Sequence, residues 1–258
     1  MRYPVISLLL VLGMSHHARA EYCHIPATYE PNQTALSVGL SSSFTTFNTA
    51  SYTGSYEGLS LNTQLTYHWL HVRASMPTYR IERNGLTNYG TGDVLLDLRA
   101  SLLPSDQDTW AMGLELSSTL PTGDASKSLG MGHVMLMPGV WGAWRSERAS
   151  ITAQVLYGRM LRFGSGGHHN TPPIVNPMNA SEIEGALSAG YRLFEYFRVR
   201  AGSYGAAPVA AENGKARAAA FVGGDVLLGR WELGLEGHIP YIGDPFTAKG
   251  IMSVSAHF

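Results

Sequence analysis

The stretch Trp231-Glu232-Leu233-Gly234-Leu235-Glu236-Gly237-His238-Ile239 alternates strictly between two kinds of residue. One face of an extended chain would carry Trp231, Leu233, Leu235, Gly237 and Ile239, and the other Glu232, Gly234, Glu236 and His238. A period of two with one apolar face predicts a β-strand that separates two unlike environments.

The same alternation recurs in short segments from Ala35 to the terminal Phe258. We predict strands near residues 35–46, 57–67, 70–82, 92–103, 109–120, 133–144, 149–162, 181–193, 195–207, 215–228, 230–241 and 248–258. Strands that face lipid must form a closed sheet, because an open edge would leave backbone groups unpaired in hydrocarbon. The pattern therefore predicts an all-β fold, a closed antiparallel up-and-down transmembrane β-barrel of about 12 strands over residues 35–258.

The connections between these strands support a membrane barrel. Short connections fall at 67–70, 104–108, 145–148, 193–195 and 228–230, and they alternate with longer ones at 47–56, 83–91, 121–132, 163–180, 208–214 and 242–247. Outer-membrane barrels have short periplasmic turns and longer outside loops, so both chain ends are expected on the periplasmic side. Aromatic residues beside the short turns predict an interfacial girdle: Tyr67, Trp69, Trp110, Trp144, Tyr191, Phe197 and Trp231.

The first 20 residues have the features of a secretory signal. Arg2 precedes an apolar stretch, and Ala18-Arg19-Ala20 fits the small-x-small cleavage rule. We predict a signal peptide over 1–20 and a short periplasmic segment over 21–34. Removal of Arg2 and Arg19 from 18 basic residues leaves 16 against 19 acidic ones, a net charge of −3, which does not favour a nucleic-acid partner.

Three short glycine-containing motifs resemble those of a known family. Gly90-Thr91-Gly92-Asp93 opens a strand, and Leu120-Pro121-Thr122-Gly123-Asp124 closes the next one, followed by Leu129-Gly130-Met131-Gly132. These motifs are similar to those of the MetA-pathway phenol-degradation outer-membrane proteins of Gram-negative bacteria. The resemblance extends over about 35–258 and implies a transporter-like outer-membrane barrel without catalytic residues. From the residues alone, Pro121, Gly123 and Asp124 have a structural role, since they end a strand and begin a turn.

The C-terminal segment Ser253-Val254-Ser255-Ala256-His257-Phe258 is similar to the terminal strand signal of bacterial outer-membrane proteins. The resemblance implies that the outer-membrane insertion machinery and the outer-membrane lipid are partners. It also implies the outer membrane as the location of the mature chain. The residues predict no cofactor.

The polar face of each predicted strand should line the lumen. The basic residues on that face are Arg73, Arg99, Arg192, Arg198, Arg200 and Arg217. The acidic residues are Asp97, Glu115, Glu182, Glu184, Asp225, Glu232 and Glu236, and His238 shares the face. From this set we select as candidates for selectivity Arg73, Asp97, Arg99, Glu115, Glu184, Arg198, Arg200, Asp225, Glu232, Glu236 and His238.

Neighbouring strands should pair these charges. Arg73 and Glu115 lie on the strands to either side of the one that carries Asp97 and Arg99. Arg198 and Arg200 are expected to lie between Glu182 and Glu184 on one neighbouring strand and Asp225 on the other. Six bases against seven acids give no dominant sign, so the sequence predicts weak ion selectivity. The pairing could also serve only to rigidify a narrow interior.

Two other functions stay open at the level of sequence. A lipid hydrolase would need a nucleophilic serine beside a histidine, and His238, Ser253, Ser255 and His257 are predicted to lie on one face. A structural or adhesive barrel without transport is the other alternative. The sequence favours the passage of small molecules, and the family resemblance suggests aromatic or hydrophobic ones.

The histidine and cysteine residues near the N-terminus, in the loop 163–180 and at the start of the strand 133–144 show no spacing typical of a closed metal site. They are Cys23-His24, His133 and His168-His169. Adjacent histidines do not easily share one ion, although imidazole and thiolate suit borderline metals. We predict no metal site and interpret these residues as polar surface.

Overall fold

The computed structural model describes residues 34–48, 53–103, 110–161, 178–209, 215–243 and 246–258. These residues form one sheet of thirteen strands and a single turn of 3-10 helix at Ala125–Lys127. No helix among them is long and apolar enough to cross a membrane. The predicted signal peptide, Cys23, His24, His168 and His169 lie outside the described residues.

The strands follow one another along the chain as antiparallel neighbours. They are β1 Thr34–Asn48, β2 Thr53–Tyr67, β3 Leu70–Arg83, β4 Leu86–Thr91, β5 Val94–Leu103, β6 Trp110–Leu120, β7 Val134–Arg145, β8 Ala149–Leu161, β9 Ser181–Phe194, β10 Phe197–Pro208, β11 Arg217–Leu228, β12 Trp231–Ile242 and β13 Phe246–His257. Both β4 and β5 pair with β3, so they are two parts of one barrel strand interrupted at residues 92–93.

The sheet closes on itself through β1 and β13. These strands pair from Ser37 opposite His257 to Phe47 opposite Phe246. Beyond the last pair, Leu36 and Phe258 exchange two backbone hydrogen bonds of 3.0 and 2.8 Å. With β4 and β5 counted once, the described chain is a closed twelve-stranded antiparallel barrel, which confirms the predicted fold class.

We call the rim at which β1 begins and β13 ends the lower rim, and the opposite one the upper rim. The outward residues between the rims are exposed and apolar, as in Leu59, Leu114 and Val155. Tyr67, Trp69, Trp110, Tyr191 and Trp231 are also exposed, and all lie at the lower rim. This distribution matches a lipid-facing band with an aromatic girdle.

The upper rim differs from the prediction because strands replace two expected loops. Residues 83–91 form the tip of a β-hairpin, in which Asn84 and Gly85 adopt positive φ angles of 50° and 80°. Asn-Gly is the preferred pair for such a two-residue turn, whereas the predicted connection spans all of residues 83–91. Likewise, β1 continues to Asn48 and β2 restarts at Thr53. The strict alternation of short and long connections is therefore wrong, although the strand order is not.

Candidate functional site: the barrel lumen

The structure places the eleven candidate residues on the inner face of the barrel. Nine of them are buried, while Glu184 and Arg198 are half-buried. The buried ones are Arg73, Asp97, Arg99, Glu115, Arg200, Asp225, Glu232, Glu236 and His238. The eleven residues do not form one ring, because antiparallel register places nine of them in two networks, and His238 adjoins the second network through Glu236.

The first network links β3, β5, β6 and β8 in the lower half of the lumen. Arg73 Nε lies 3.3 Å from Asp97 Oδ2, and Arg99 Nη2 lies 3.0 Å from Glu115 Oε1. Arg99 Nη2 also donates to Gln154 Oε1 at 3.1 Å, reaching past β6 and β7. The Arg99 side chain thereby narrows the lumen, with its charge balanced by a carboxylate.

The second network joins β10, β11 and β12. Asp225 accepts hydrogen bonds of 2.7 Å from Arg198 Nη2 and, through its other oxygen, from Arg200 Nη2. Arg198 also contacts Glu232 at 3.3 Å, and Arg200 contacts Glu236 at 2.6 Å. Two bases and three acids share this buried cluster, so each guanidinium bridges two carboxylates. Such bridging fixes the side chains against the wall.

The pairing predicted for Glu184 is wrong. In the β9–β10 register Glu184 lies opposite Ala206, and Arg198 lies opposite Arg192. The other acid of that strand, Glu182, instead forms two hydrogen bonds of 2.7 and 2.8 Å with Arg217 near the upper rim. The sequence pattern correctly gave the face of each side chain, but the height along the barrel depended on register.

A neutral polar wall separates the two networks, and the sequence reasoning missed it. We call it the hydroxyl wall; it comprises the inward residues Ser37, Ser41, Ser43, Thr45, Ser60, Asn62, Gln64, Thr66 and Ser75 of β1, β2 and β3. Asn62 Nδ2 donates to Ser41 Oγ at 3.0 Å, and Thr66 Oγ1 lies 3.0 Å from His71 Nδ1. The alternation of Ser, Thr, Asn and Gln along 37–45 and 60–66 was the available signal.

Buried apolar side chains are concentrated in the upper half of the lumen. Three clusters of buried side chains line it: Phe47, Tyr56, Tyr79, Ile81 and Leu129; Met135, Met137 and Leu156; and Ala186, Tyr204, Ala219, Phe221 and Phe246. Met160 and Met178 pack against the second cluster. A molecule that enters from the upper rim therefore meets aromatic and methionine side chains before it reaches the two charged networks.

Leu129 belongs to the connection between β6 and β7, which folds inward. It is 1 % exposed and packs among four inward-facing side chains of β1, β2 and β3. The segment 121–133 is held by Asp93, whose two carboxylate oxygens accept from Gly123 N at 2.9 Å and Met131 N at 2.7 Å. The connection is a cap over the upper lumen, anchored at the interruption between β4 and β5.

The motifs that suggested a family resemblance all meet at this anchor. A Cβ atom added to Gly130 would lie 2.6 Å from Asp93 Oδ1, and one added to Gly123 would lie 2.9 Å from the same oxygen. Thr122 Oγ1 donates to Gly92 O at 3.0 Å. The glycines are required because backbone and carboxylate approach closely, so the structural interpretation of Gly123 holds.

Asp124 begins the short 3-10 turn of the cap. Its carboxylate accepts from Ser126 N at 3.1 Å and from Ser126 Oγ at 2.6 Å, and Lys127 Nζ lies 3.0 Å away. These hydrogen bonds, followed by the charge of Lys127, hold the pKa of Asp124 below its usual value. The carboxylate is therefore ionised at neutral pH and stabilises the turn.

The serine and histidine residues considered for lipid hydrolysis do come together, but with unsuitable geometry. Ser255 Oγ lies 3.3 Å from His257 Nε2, and Glu232 Oε2 lies 3.8 Å from that same nitrogen. In a catalytic triad the acid contacts the opposite ring nitrogen from the serine. His238 contacts Glu236 at 3.2 Å and Tyr204 at 3.3 Å, away from both serines. The arrangement is that of a packed polar cluster.

Metal ligands do not assemble in the part of the chain that the structure describes: no group of three His, Cys, Asp or Glu side chains is placed to hold an ion. His133 lies in the described cap segment. The predictions for Cys23, His24, His168 and His169 concern residues outside the described ranges.

Known structures share the fold at low sequence identity. An outer membrane channel from Pseudomonas putida F1 matches with a TM-score of 0.68 and 11% identity over 89% of this chain and 97% of that one. The translocator domain of the autotransporter NalP from Neisseria meningitidis matches with a TM-score of 0.52 and 13% identity, over 90% of this chain and 91% of that one. The NanC porin matches with a TM-score of 0.51 and 10% identity, over 88% of this chain and 99% of that one.

No protein-family model and no curated protein sequence matches the chain. The likeness to solved structures therefore concerns the fold. A closed barrel with an apolar outer surface, like those three structures, is an outer-membrane protein, in agreement with the predicted location.

Proposed function

We propose that this barrel is a passive channel that carries small molecules, including aromatic or otherwise hydrophobic ones, across the outer membrane. The observation that carries the proposal is the polar interior within a lipid-facing shell. Buried charges and hydroxyl groups line the lumen along its length, at positions where a purely structural barrel could be filled by apolar side chains.

The order of the lumen surfaces supports small and partly apolar solutes. The upper half presents Tyr56, Tyr79, Phe221 and methionines, and the lower half presents paired charges. Flexible methionine side chains and aromatic rings adapt to varied apolar ligands. The resemblance of the Asp93 motifs to phenol-degradation outer-membrane proteins points to the same solute class.

The pairing of the lumen charges limits the ion selectivity of the channel. The guanidinium and carboxylate groups of the two networks neutralise one another at distances of 2.6–3.3 Å, which leaves no charged ring of one sign. Passage through such a lumen would follow the concentration gradient of the solute.

Planar bilayer recording of the mature chain tests the proposal. We expect step-like currents in potassium chloride that small aromatic solutes reduce in a concentration-dependent manner. Absence of steps from both the wild type and Leu129→Ala, in samples shown to be folded by heat-modifiable gel mobility, would contradict a channel. The Leu129 variant is included because the cap covers the upper lumen.

A further inference from the structure

Three arginine residues lie close together on the inner face of the barrel at the lower rim, and we call them the arginine cluster. Arg145 ends β7, Arg192 lies two residues before the end of β9, and Arg198 is the second residue of β10. In the β9–β10 register Arg192 lies directly opposite Arg198. All three are half-buried, so they remain accessible to a solute in the lower mouth of the lumen.

Small residues form the barrel wall between the members of the arginine cluster. Ser150 of β8 lies opposite Arg145 on one side and opposite Gly190 of β9 on the other. A Cβ atom added to Gly190 would lie 2.9 Å from Ser150 Oγ and 3.9 Å from Arg198 Cδ, so the glycine leaves room between them. Neighbouring strands lie about 4.8 Å apart, so β7 and β9 are separated by about 10 Å, a gap that two arginine side chains and one small oxyanion can bridge.

Acidic residues balance the charge of the arginine cluster only in part. Arg198 pairs with two acids of the second network, at 2.7 and 3.3 Å. The charges of Arg198 and Arg145 both act on Arg192. Glu195, in the adjoining turn, opposes them with a smaller effect. Like charges held together at a half-buried wall repel one another, and a bound anion would relieve that repulsion.

We propose that the arginine cluster binds the carboxylate group of small organic anions at the lower mouth of the lumen. The proposal rests on the proposed channel function and names a class of solute for it. A guanidinium group presents parallel N–H donors that match the two oxygens of a carboxylate, and the Ser150 hydroxyl group adds a further donor. The two charged networks keep their balance, so the selectivity between small ions is still expected to be weak.

Binding of 4-fluorobenzoate to the folded barrel in detergent micelles, followed by fluorine NMR, tests the site without requiring transport. Arg192→Gln and Arg145→Gln should each weaken binding about tenfold, because each removes hydrogen bonds between charged groups. Arg230→Gln is the matched control and should bind like the wild type, since Arg230 lies at the same rim with its guanidinium 5.7 Å from the ring centre of the exposed Trp231. Empty micelles give the background, and the uncharged 4-fluorobenzyl alcohol should not distinguish the variants.

The outcomes separate the anion site from the channel. Equal binding of 4-fluorobenzoate to the wild type, Arg192→Gln and Arg145→Gln would overturn the site, whether or not bilayers show currents. Binding that both variants weaken, without current from the wild type or Leu129→Ala, would overturn the channel and leave the anion site. Displacement of the probe by phosphate but not by acetate would overturn the assignment to carboxylates. Should Arg192→Gln fail to fold, Arg192→Lys keeps the charge without the parallel donors, and unchanged binding there would count against the site.

Discussion

At the scale of single residues, Asp93 holds the cap at two points. One carboxylate connects the break between β4 and β5 to both ends of the cap, through Gly123 N and Met131 N. It is 5% exposed, so its two hydrogen bonds are formed where water competes little. Asp93 therefore helps to position Leu129 over the upper lumen, together with the bonds of Thr122 to Gly92 and of Arg83 to Ser128.

Replacing Asp93 with Asn should loosen the cap. The amide offers one acceptor instead of two and places an N–H group against a backbone N–H group, and each lost bond to a charged acceptor is worth about 1.5–3 kcal/mol. Hydrogen exchange at Met131 N should accelerate about tenfold or more, which NMR or mass spectrometry can measure.

Asp124→Asn is the control for the cap, because the Asp124 carboxylate contacts Ser126 and Lys127 of the short turn instead of holding both ends of the cap. Its exchange at Met131 N should match that of the wild type. Equal protection in Asp93→Asn would show that the apolar contacts of Leu129 hold the cap without the carboxylate.

A second prediction at this scale concerns Asp225, which neutralises two guanidinium groups. Asp225→Asn leaves Arg198 and Arg200 with less compensation in a buried site, so the free energy of unfolding should fall by about 3–5 kcal/mol. Urea unfolding followed by tryptophan fluorescence measures it.

The matched change is Glu57→Gln, which breaks the pair of Glu57 with Arg80 at 3.1 Å on the outer surface. Exposed pairs contribute little, so the loss there should be below about 1 kcal/mol. A similar loss in both variants would contradict the claim that the inner network is a stabilising element of the wall.

At the scale of elements, the C-terminal strand β13 closes the barrel. Deletion of Phe258 removes the two hydrogen bonds with Leu36 and the ring that Arg230 covers at 5.6 Å. We expect a lower yield of folded barrel in vesicles, seen as a smaller heat-modifiable fraction on gels, while Phe258→Tyr, which keeps ring and backbone, should assemble normally. Equal yields would show that closure does not depend on this residue.

Sequence alone was sufficient for the strands and insufficient for their ends. The alternation of Trp231 to Ile239 predicted β12 because lipid and lumen impose opposite requirements on successive side chains. The Gly, Asn, Thr and Ser residues of 47–56 and 83–91 predict loops, whereas the chain there stays extended and paired as β4 and the upper ends of β1 and β2. Only the Asn84-Gly85 turn marked the hairpin, and it was not recognised.

At the scale of the whole molecule, the inward charges are distributed so that neither sign dominates. Reversal potentials in a salt gradient should lie near zero for the wild type. Arg73→Gln, which leaves Asp97 less compensated, should shift selectivity towards cations. A strong preference of the wild type for either ion would contradict the balanced lumen.

The sequence predicts which side chains face the lumen, but it does not predict their height along the barrel axis. Arg99 and Glu115 were expected to pair and do so, because their strands are adjacent and their positions match. Glu184 was misplaced because the register of β9 and β10 could not be read from composition. The hydroxyl wall follows the same alternation with neutral side chains, so a prediction based on charge pairs does not include it.

A spin-label scan along residues 231–239 in lipid vesicles, with Cys23 replaced by serine, tests the central claim most directly. Collisions with oxygen should dominate at Trp231, Leu233 and Leu235, and collisions with a water-soluble nickel complex should be relatively greater at Glu232, Gly234 and Glu236. This two-residue period is expected if a closed sheet separates lipid from a polar interior. A profile without that period, or equal access of the nickel complex to both faces, would contradict the barrel and the channel built on it.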